Sequence, residues 1–254
     1  THCRVWRAAR LLCHYLEQAV AAKVKLPLQL RGRKVLELGA GCGLVGILCG
    51  RLGADVTITD LGNVLPIIRH NVQINGLVDS DLGSTGSVQV EALPWGEDLQ
   101  EKFPRGYFNL ITGSDLTWLV KWDGPLLLCT LLQLADANTE IIFSFTHRPY
   151  QLEGWHDCFG QHFSLEVIDV EEEPESANLS AEEEAASPGP QEQGSPSEEK
   201  DPYSLKYFDD SGDEGKRISV LRLRPLLPLA PDSVVRELLA SLGSDHASSA
   251  HDRA

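Results

Sequence analysis

The most constraining feature of the chain is a short apolar strand that runs directly into closely spaced glycines. It reads Lys34-Val-Leu-Glu-Leu-Gly-Ala-Gly-Cys-Gly-Leu-Val-Gly46, and a second strand-like segment, Ala54-Asp-Val-Thr-Ile-Thr-Asp60, ends on a carboxylate. Glycine has no Cβ, so a glycine-rich turn lets the backbone approach a nucleotide-like ligand closely. An acidic residue at the tip of the next strand is placed to accept hydrogen bonds from a ribose diol. The pattern therefore predicts a cofactor site.

Two cofactors fit these residues, and a glycine-rich turn without a ligand is the structural alternative. The segment 41–46 satisfies the dinucleotide pattern G-x-G-x-x-G, with Asp60 at a suitable distance. The same residues also read E-x-G-x-G-x-G from Glu37. Because the strand is predicted to end just before Gly39, the dinucleotide pattern begins too far along the loop. A carboxylate at Glu37 suits the ammonium group of S-adenosylmethionine and would repel a pyrophosphate. We therefore favour S-adenosylmethionine over NAD.

Composition limits the class of protein. The chain has 254 residues, of which 42% are hydrophobic, and this is enough for one full α/β core. No apolar run reaches the roughly 20 residues that span a bilayer, so no membrane association is expected. The six cysteines form no C-x-x-C pair, which predicts no metal site and a reducing compartment. We expect a cytoplasmic location that extends to the nucleus.

The net charge of −15 is concentrated in one segment. Residues 171–200 contain ten Glu and one Lys, which sum to −9, and the other 224 residues carry −6. The segment is rich in Ser, Pro, Gly and Ala and has no aromatic residue. It is therefore predicted to be disordered and to form most of an acidic insertion, residues 171–216, between the last two strands. Residues 243–254 are predicted to be a flexible C-terminal tail. The chain has no basic stripe, so nucleic acid is not an expected partner.

Helical and strand-like patterns alternate along the chain, which predicts a single α/β domain over residues 1–254. Helices are predicted at 4–22, 44–52, 64–75, 124–134, 150–161 and 232–242. Strands are predicted at 34–38, 55–59, 87–92, 108–112, 140–145, 163–170 and 217–223.

Several of these segments resemble, in order and spacing, the methyltransferase family 16 proteins. They are Val35-Leu-Glu-Leu-Gly-Ala-Gly-Cys-Gly-Leu-Val-Gly46, Gly53-Ala-Asp-Val-Thr-Ile-Thr-Asp60, Leu93-Pro-Trp-Gly96, Gly113-Ser-Asp-Leu-Thr-Trp118 and the N-terminal Val5-Trp-Arg-Ala-Ala9. The resemblance covers about residues 4–170 and resumes at 217–224. It implies a class I fold: a seven-stranded, mostly parallel, twisted sheet with helices on both faces and an antiparallel last strand. It also implies S-adenosylmethionine as the cofactor.

The resemblance assigns roles to the matching positions. It implies that Asp115 and Trp118 are the catalytic residues, lining the entry of the substrate amine. The residues implied in cofactor binding are Trp6, Glu37, Gly39, Gly41, Gly43, Asp60, Trp95 and Ser114. The family usually has Tyr or Phe where Trp118 stands, so the width of the pocket is in question. The implied activity is methylation of lysine side chains on a non-histone protein, by a monomer whose partner is the protein substrate.

The residues themselves leave other functions open. Asp115 follows a predicted strand, and ligands bind at the carboxyl ends of parallel strands. The aromatic ring of Trp118, three residues later, would attract a cationic amine. His147 follows the fifth predicted strand, where it is expected to be structural rather than a proton acceptor. Methylation of histidine or of a small molecule, and a non-catalytic S-adenosylmethionine-binding module, are the alternatives to lysine methylation.

Overall fold

The structure, a computed structural model, describes residues 4–77, 86–116, 120–147, 157–171 and 218–249. Seven strands form one sheet in the order β3-β2-β1-β4-β5-β7-β6. The strands are β1 (Lys34–Glu37), β2 (Asp55–Asp60), β3 (Val88–Ala92), β4 (Leu110–Ser114), β5 (Glu140–Thr146), β6 (Phe163–Glu171) and β7 (Ile218–Pro225). The helices are α1 (Arg7–Val20), α2 (Leu44–Arg51), α3 (Leu65–Ile74), α4 (Val120–Leu134) and α5 (Asp232–Ser249).

The direction of the strands gives the sheet its topology. Strands β1 to β5 run parallel, and β7 is antiparallel to both β5 and β6. The predicted fold class is therefore confirmed, including the antiparallel last strand. The chain moves outward from β1 through β2 to β3 and then returns to place β4 on the other side of β1. Such a reversal opens a crevice at the carboxyl ends of the two central strands, where open α/β sheets bind ligands.

Helices cover both faces of the sheet. Val35 and Leu110 pack in one core cluster with α1, α2 and α3, whereas Leu36 and Ile111 pack in a second cluster with α4 and α5. Successive side chains of a strand point to opposite faces. Both faces of the central strands are therefore apolar, which is the pattern of a parallel sheet that is buried on both sides.

Helix α1 lies across the sheet with its first turns near the ends of β4 and β5. Its buried residues recur at helical spacing and are Ala8, Ala9, Leu11, Leu12, Tyr15, Leu16 and Ala19. The buried Ser144 hydroxyl on β5 donates a hydrogen bond to the Ala8 carbonyl at 2.7 Å. This contact holds the N-terminal end of α1 above the carboxyl edge of the sheet.

Several element boundaries differ from those predicted. Strand β4 extends through Ser114, because Gly113 and Ser114 pair with β5 despite their low strand propensity. Helix α4 begins at Val120, four residues before the predicted start at Gly124. Helix α5 continues past its predicted end to Ser249, since one internal glycine costs only about 1 kcal/mol.

Three predicted features lie wholly or mostly outside the described residues. They are Trp118, the helix at 150–161, of which only residues 157–159 are described as helical, and the acidic insertion beyond Glu171. Within the described ranges, no helix is long and apolar enough to cross a membrane. In those same ranges, no group of His, Cys, Asp and Glu side chains is arranged to hold a metal ion.

Candidate active site

The loop between β1 and α2 is shaped by three glycines in left-handed conformations. Gly39, Gly41 and Gly43 have φ values of 55°, 56° and 78°. A residue with a Cβ adopts this conformation at a cost of roughly 1–2 kcal/mol. A Cβ on Gly39 would also lie 3.0 Å from Leu116 Cδ2 and 3.2 Å from Trp95 Cζ2. The loop therefore needs glycine for its backbone conformation and for its close approach to Trp95 and Leu116.

Asp60 contacts this loop from the end of β2. Its Oδ2 accepts a hydrogen bond from the Gly41 N–H at 2.7 Å, and its Oδ1 accepts one from the Leu61 N–H at 2.7 Å. An ionised carboxylate has about four acceptor positions, so both oxygens retain capacity for a ribose hydroxyl. The structure thus brings Asp60 and the glycine loop into direct contact, in an arrangement that fits a nucleoside.

Glu37 lies behind the loop and is only 1% exposed. Its Oε2 accepts a hydrogen bond from the Gly46 N–H at 2.8 Å, and the Val45 N–H also donates to its carboxyl group. Burial raises the pKa of Glu37 to about 8; the neighbouring Asp60 carboxylate adds to the rise and the two N–H groups oppose it. The Glu37 side chain therefore braces the first turn of α2.

The position of Glu37 bears on the choice of cofactor. In dinucleotide-binding folds the pyrophosphate lies on the free N–H groups at the helix N-terminus. Here Val45 and Gly46 direct those groups to the Glu37 carboxyl group. A Cβ on Gly46 would lie 2.5 Å from Glu37 Oε2 and from Ile58 Cγ1, so packing alone explains this glycine of the dinucleotide pattern. The geometry favours S-adenosylmethionine, and a contact between Glu37 and its ammonium group stays a prediction.

The two tryptophans that were predicted to frame the cofactor occupy different surroundings. Trp95 is half-buried and lies against the loop at Gly39. Trp6 is the half-buried residue immediately before α1, and the Arg4 guanidinium carbon lies 4.7 Å from its ring centre. The structure therefore places Trp95 directly on the loop, whereas the contact it shows for Trp6 is a cation–π pair with Arg4.

Asp115 lies on the other side of the crevice, directly after β4. Its φ of 51° is uncommon for a residue other than glycine. Its N–H donates to the Ser144 carbonyl at 2.8 Å. Thr146 donates twice to its carboxylate, from the backbone N–H to Oδ1 at 2.9 Å and from the hydroxyl to Oδ2 at 3.1 Å. Both carboxylate oxygens are thus held by the last residue of β5.

Leu116 connects the two halves of the site. Its side chain lies against Gly39, as described above. A Cβ on Gly113 would also lie 2.8 Å from both terminal methyl carbons of Leu116. The residue that follows Asp115 therefore packs on the cofactor loop. Ser114, the last residue of β4, is half-buried and faces Ser144 across the sheet.

Thr146, the last residue of β5, and His147, which follows it, also lie at the site. His147 Nε2 lies 2.8 Å from Ser219 Oγ on β7, and its ring stacks on Phe145 at a centroid distance of 4.9 Å. Thr146 was not singled out from the sequence. A threonine at the end of a strand carries no signal of its own, and only the pairing of β4 with β5 shows that it reaches Asp115.

The fold and the site together define a class I S-adenosylmethionine-dependent methyltransferase. The profile of the lysine methyltransferase family matches residues 1–158, which is more than half of the chain. The chain therefore belongs to the lysine methyltransferase family. It is an S-adenosylmethionine-dependent protein-lysine N-methyltransferase.

Individual relatives share this character. The protein named EEF1A lysine methyltransferase 3 of Xenopus tropicalis is 39% identical over 166 residues, which is 65% of this chain and 67% of that protein. The protein N-lysine methyltransferase METTL21A of Danio rerio is 38% identical over 164 residues, which is 65% of this chain and 69% of that protein. Among solved structures, magnesium protoporphyrin IX methyltransferase from Synechocystis PCC 6803 is 14% identical, covers 85% of this chain and 79% of its own, and has a TM-score of 0.49.

Proposed function

We propose that the crevice between β1 and β4 aligns a lysine amine of a folded protein with the methyl donor, and that Asp115 orients this amine. The observation that carries the proposal is the packing of Leu116 on Gly39. It joins the carboxylate at the end of β4 to the loop at the end of β1. A donor on the glycine loop and an acceptor beside Asp115 would therefore meet at the same edge of the sheet.

On the cofactor side, the chain supplies binding and alignment. S-adenosylmethionine carries an activated methyl group on a sulfonium when bound, so little further chemistry is required of the protein. The backbone of the loop from Gly39 to Gly43 would contact the cofactor. Asp60 would accept hydrogen bonds from its ribose hydroxyls. Trp95 would offer an aromatic face for the adenine, and Trp6 would close the methionine end. Glu37 supports this arrangement by bracing α2 behind the loop.

On the substrate side, the lysine must lose its proton before it attacks a methyl group. An apolar channel lowers the pKa of a lysine, whereas a nearby carboxylate raises it. Asp115 is therefore better suited to orienting the amine than to removing its proton. Trp118, three residues later in sequence, would add a cation–π contact along the lysine side chain.

The name of one group of relatives supports a choice of first substrate to assay. Because a protein that is 39% identical is named for EEF1A, purified EEF1A is the first substrate to assay. We further propose a monomer that works in the cytoplasm. The free thiols of Cys49 and Cys129, both buried, support a reducing compartment.

The test is turnover and cofactor affinity of Asp115→Asn. This variant should bind S-adenosylmethionine within a few-fold of wild type yet lose at least ~10-fold in kcat, because orientation contributes several kcal/mol to catalysis. The matched control is Asp55→Asn, since Asp55 also accepts hydrogen bonds from the backbone N–H and the hydroxyl of a neighbouring residue, Ser87, but at the start of β2. It should keep its turnover.

The assay supplies labelled S-adenosylmethionine together with either purified EEF1A or a cell lysate. Mass spectrometry then identifies the residue that carries the label. Full turnover in both Asp115→Asn and Trp118→Ala would remove these residues from the site. Label that is found only on histidine or on small molecules would refute the lysine side chain as the acceptor.

A further inference from the structure

We infer that Thr146 is a positioning residue for methyl transfer: it sets the orientation of the Asp115 carboxylate that receives the substrate amine. The inference rests on the proposed role of Asp115. Thr146 is the last residue of β5, its side chain is fully buried, and it donates to both Asp115 oxygens at 2.9 Å and 3.1 Å. Two donors on two oxygens fix the plane of a carboxylate, whereas one donor leaves it free to rotate.

The backbone of Asp115 shows that this orientation is imposed by its surroundings. A φ of 51° is disfavoured for a residue with a Cβ and persists where neighbouring contacts over-determine it. Three hydrogen bonds do so here, the two from Thr146 and the one that Asp115 donates to Ser144. All three tie Asp115 to the end of β5, so its carboxylate turns back toward this strand.

Thr146 is itself held rigidly enough to act in this way. Its Cα partner is Ile218 at the start of β7, and it lies two residues after Ser144, which pairs with Ser114 at the end of β4. Burial leaves its side chain no room to change rotamer. The hydroxyl therefore presents its hydrogen to Asp115 from a fixed point, and the remaining acceptor positions of the carboxylate point in a fixed direction.

The contact between Thr146 and Asp115 is not needed to join β4 to β5. The two strands already pair continuously from Leu110 to Ser114. A buried threonine with only a structural task is available for comparison, because the fully buried Thr112 on β4 donates its hydroxyl to the Ile142 carbonyl at 3.0 Å. Thr112 and Thr146 thus share residue type, burial and a place in the sheet, and differ in whether their hydroxyl reaches Asp115.

The experiment compares kcat, the KM for the protein substrate, the Kd for S-adenosylmethionine and the melting temperature across these threonines. Thr146→Val, which removes only the hydroxyl, should lower kcat by about 10-fold, since a hydrogen bond to a charged group is worth a factor of roughly 10 or more. The Kd for S-adenosylmethionine should stay within about 2-fold, because the glycine loop and Asp60 are untouched. Thr146→Ser, which restores the hydroxyl, should return kcat to within about 3-fold of wild type.

Thr112→Val is the control, and it should lower the melting temperature as Thr146→Val does but keep kcat. In the Asp115→Asn background, Thr146→Val should add no further loss of kcat, because the two residues act as one unit. If Thr146→Val does not fold, Thr146→Ala replaces it, with the same expectations.

Two results separate this inference from the proposed function. Wild-type kcat in a folded Thr146→Val or Thr146→Ala, together with a slow Asp115→Asn, would overturn the role of Thr146 and leave that of Asp115 standing. Full turnover in Asp115→Asn alone would refute the role of Asp115 itself, and the positioning role with it. A loss of kcat in Thr112→Val equal to that in Thr146→Val would show a general effect of buried threonines and would also overturn the inference.

Discussion

Replacing Glu37 by Gln should change how the stability of this protein depends on pH. Glu37 is 1% exposed, and its pKa lies near 8, against an ordinary value of 4.5. The cause is burial, to which the neighbouring Asp60 carboxylate adds. Glutamine has nearly the same shape and keeps an oxygen that can accept the hydrogen bond of the Gly46 N–H. It has no proton to release, so the substitution isolates the titration of this one group.

The sign and the size of the effect follow from linkage. Between pH 4.5 and about 8 the unfolded chain has released the Glu37 proton, whereas the folded protein retains it. The free energy of unfolding of wild type therefore falls as the pH rises through this window, by up to about 1.4 kcal/mol per pH unit. From pH 5 to pH 8 this amounts to roughly 4 kcal/mol. The Gln variant lacks this contribution, so its stability should rise relative to wild type over the same range.

The assay is urea unfolding of the cofactor-free protein at pH 5, 6, 7 and 8, under reducing conditions, with wild type and variant side by side. Glu101→Gln removes an exposed carboxylate and serves as the control for the loss of one charge. The difference in stability between Glu37→Gln and wild type should grow steadily with pH. Parallel curves for the two proteins across these four pH values would show that Glu37 is ionised in the folded state, and would refute the reasoning.

Two further predictions concern the cofactor and the acidic segment. Asp60→Ala removes the acceptor for the ribose hydroxyls and should weaken S-adenosylmethionine binding by about 1–3 kcal/mol, measured by calorimetry; unchanged affinity, or tight binding of NAD by wild type, would contradict the cofactor assignment. Replacing residues 172–200 by a short Gly-Ser linker should preserve folding and cofactor affinity, because loop-closure cost changes slowly with length and Glu171 and Ile218 are paired neighbours in the sheet. A melting temperature lowered by more than about 10 °C would show that this segment stabilises the domain.

Much of the fold could be predicted from local sequence patterns. The apolar strand, the glycines and the acidic tip of the next strand lie within one stretch from Lys34 to Asp60, and each signal acts on the backbone of its own residues. The structure brings Asp60 and Gly41 into contact at 2.7 Å, as neighbouring parallel strands require. The prediction of seven strands came from these patterns and was correct; the antiparallel last strand, also correct, was implied by the family resemblance.

The boundaries of the elements were less predictable, because partners outside the element decide them. Gly113 and Ser114 have low strand propensity, yet they extend β4 because β5 lies beside them. The predicted start of α4 at Gly124 was wrong by four residues, since the helix begins at Val120. For β4, pairing with the neighbouring strand overrides the local preference.

The sequence by itself determined that this chain builds a glycine loop and an acidic strand tip at one edge of a parallel sheet, and that it belongs with the lysine methyltransferases. Only the tertiary structure decided what individual side chains do there. The buried Glu37 carboxyl group accepts the Gly46 N–H, and Thr146 contacts Asp115, which lies 31 residues earlier in the sequence. The physical reason is that periodicity and turn chemistry act between near neighbours, whereas the direction of a buried polar side chain depends on which distant donor or acceptor the folded sheet brings within 3 Å or so of it.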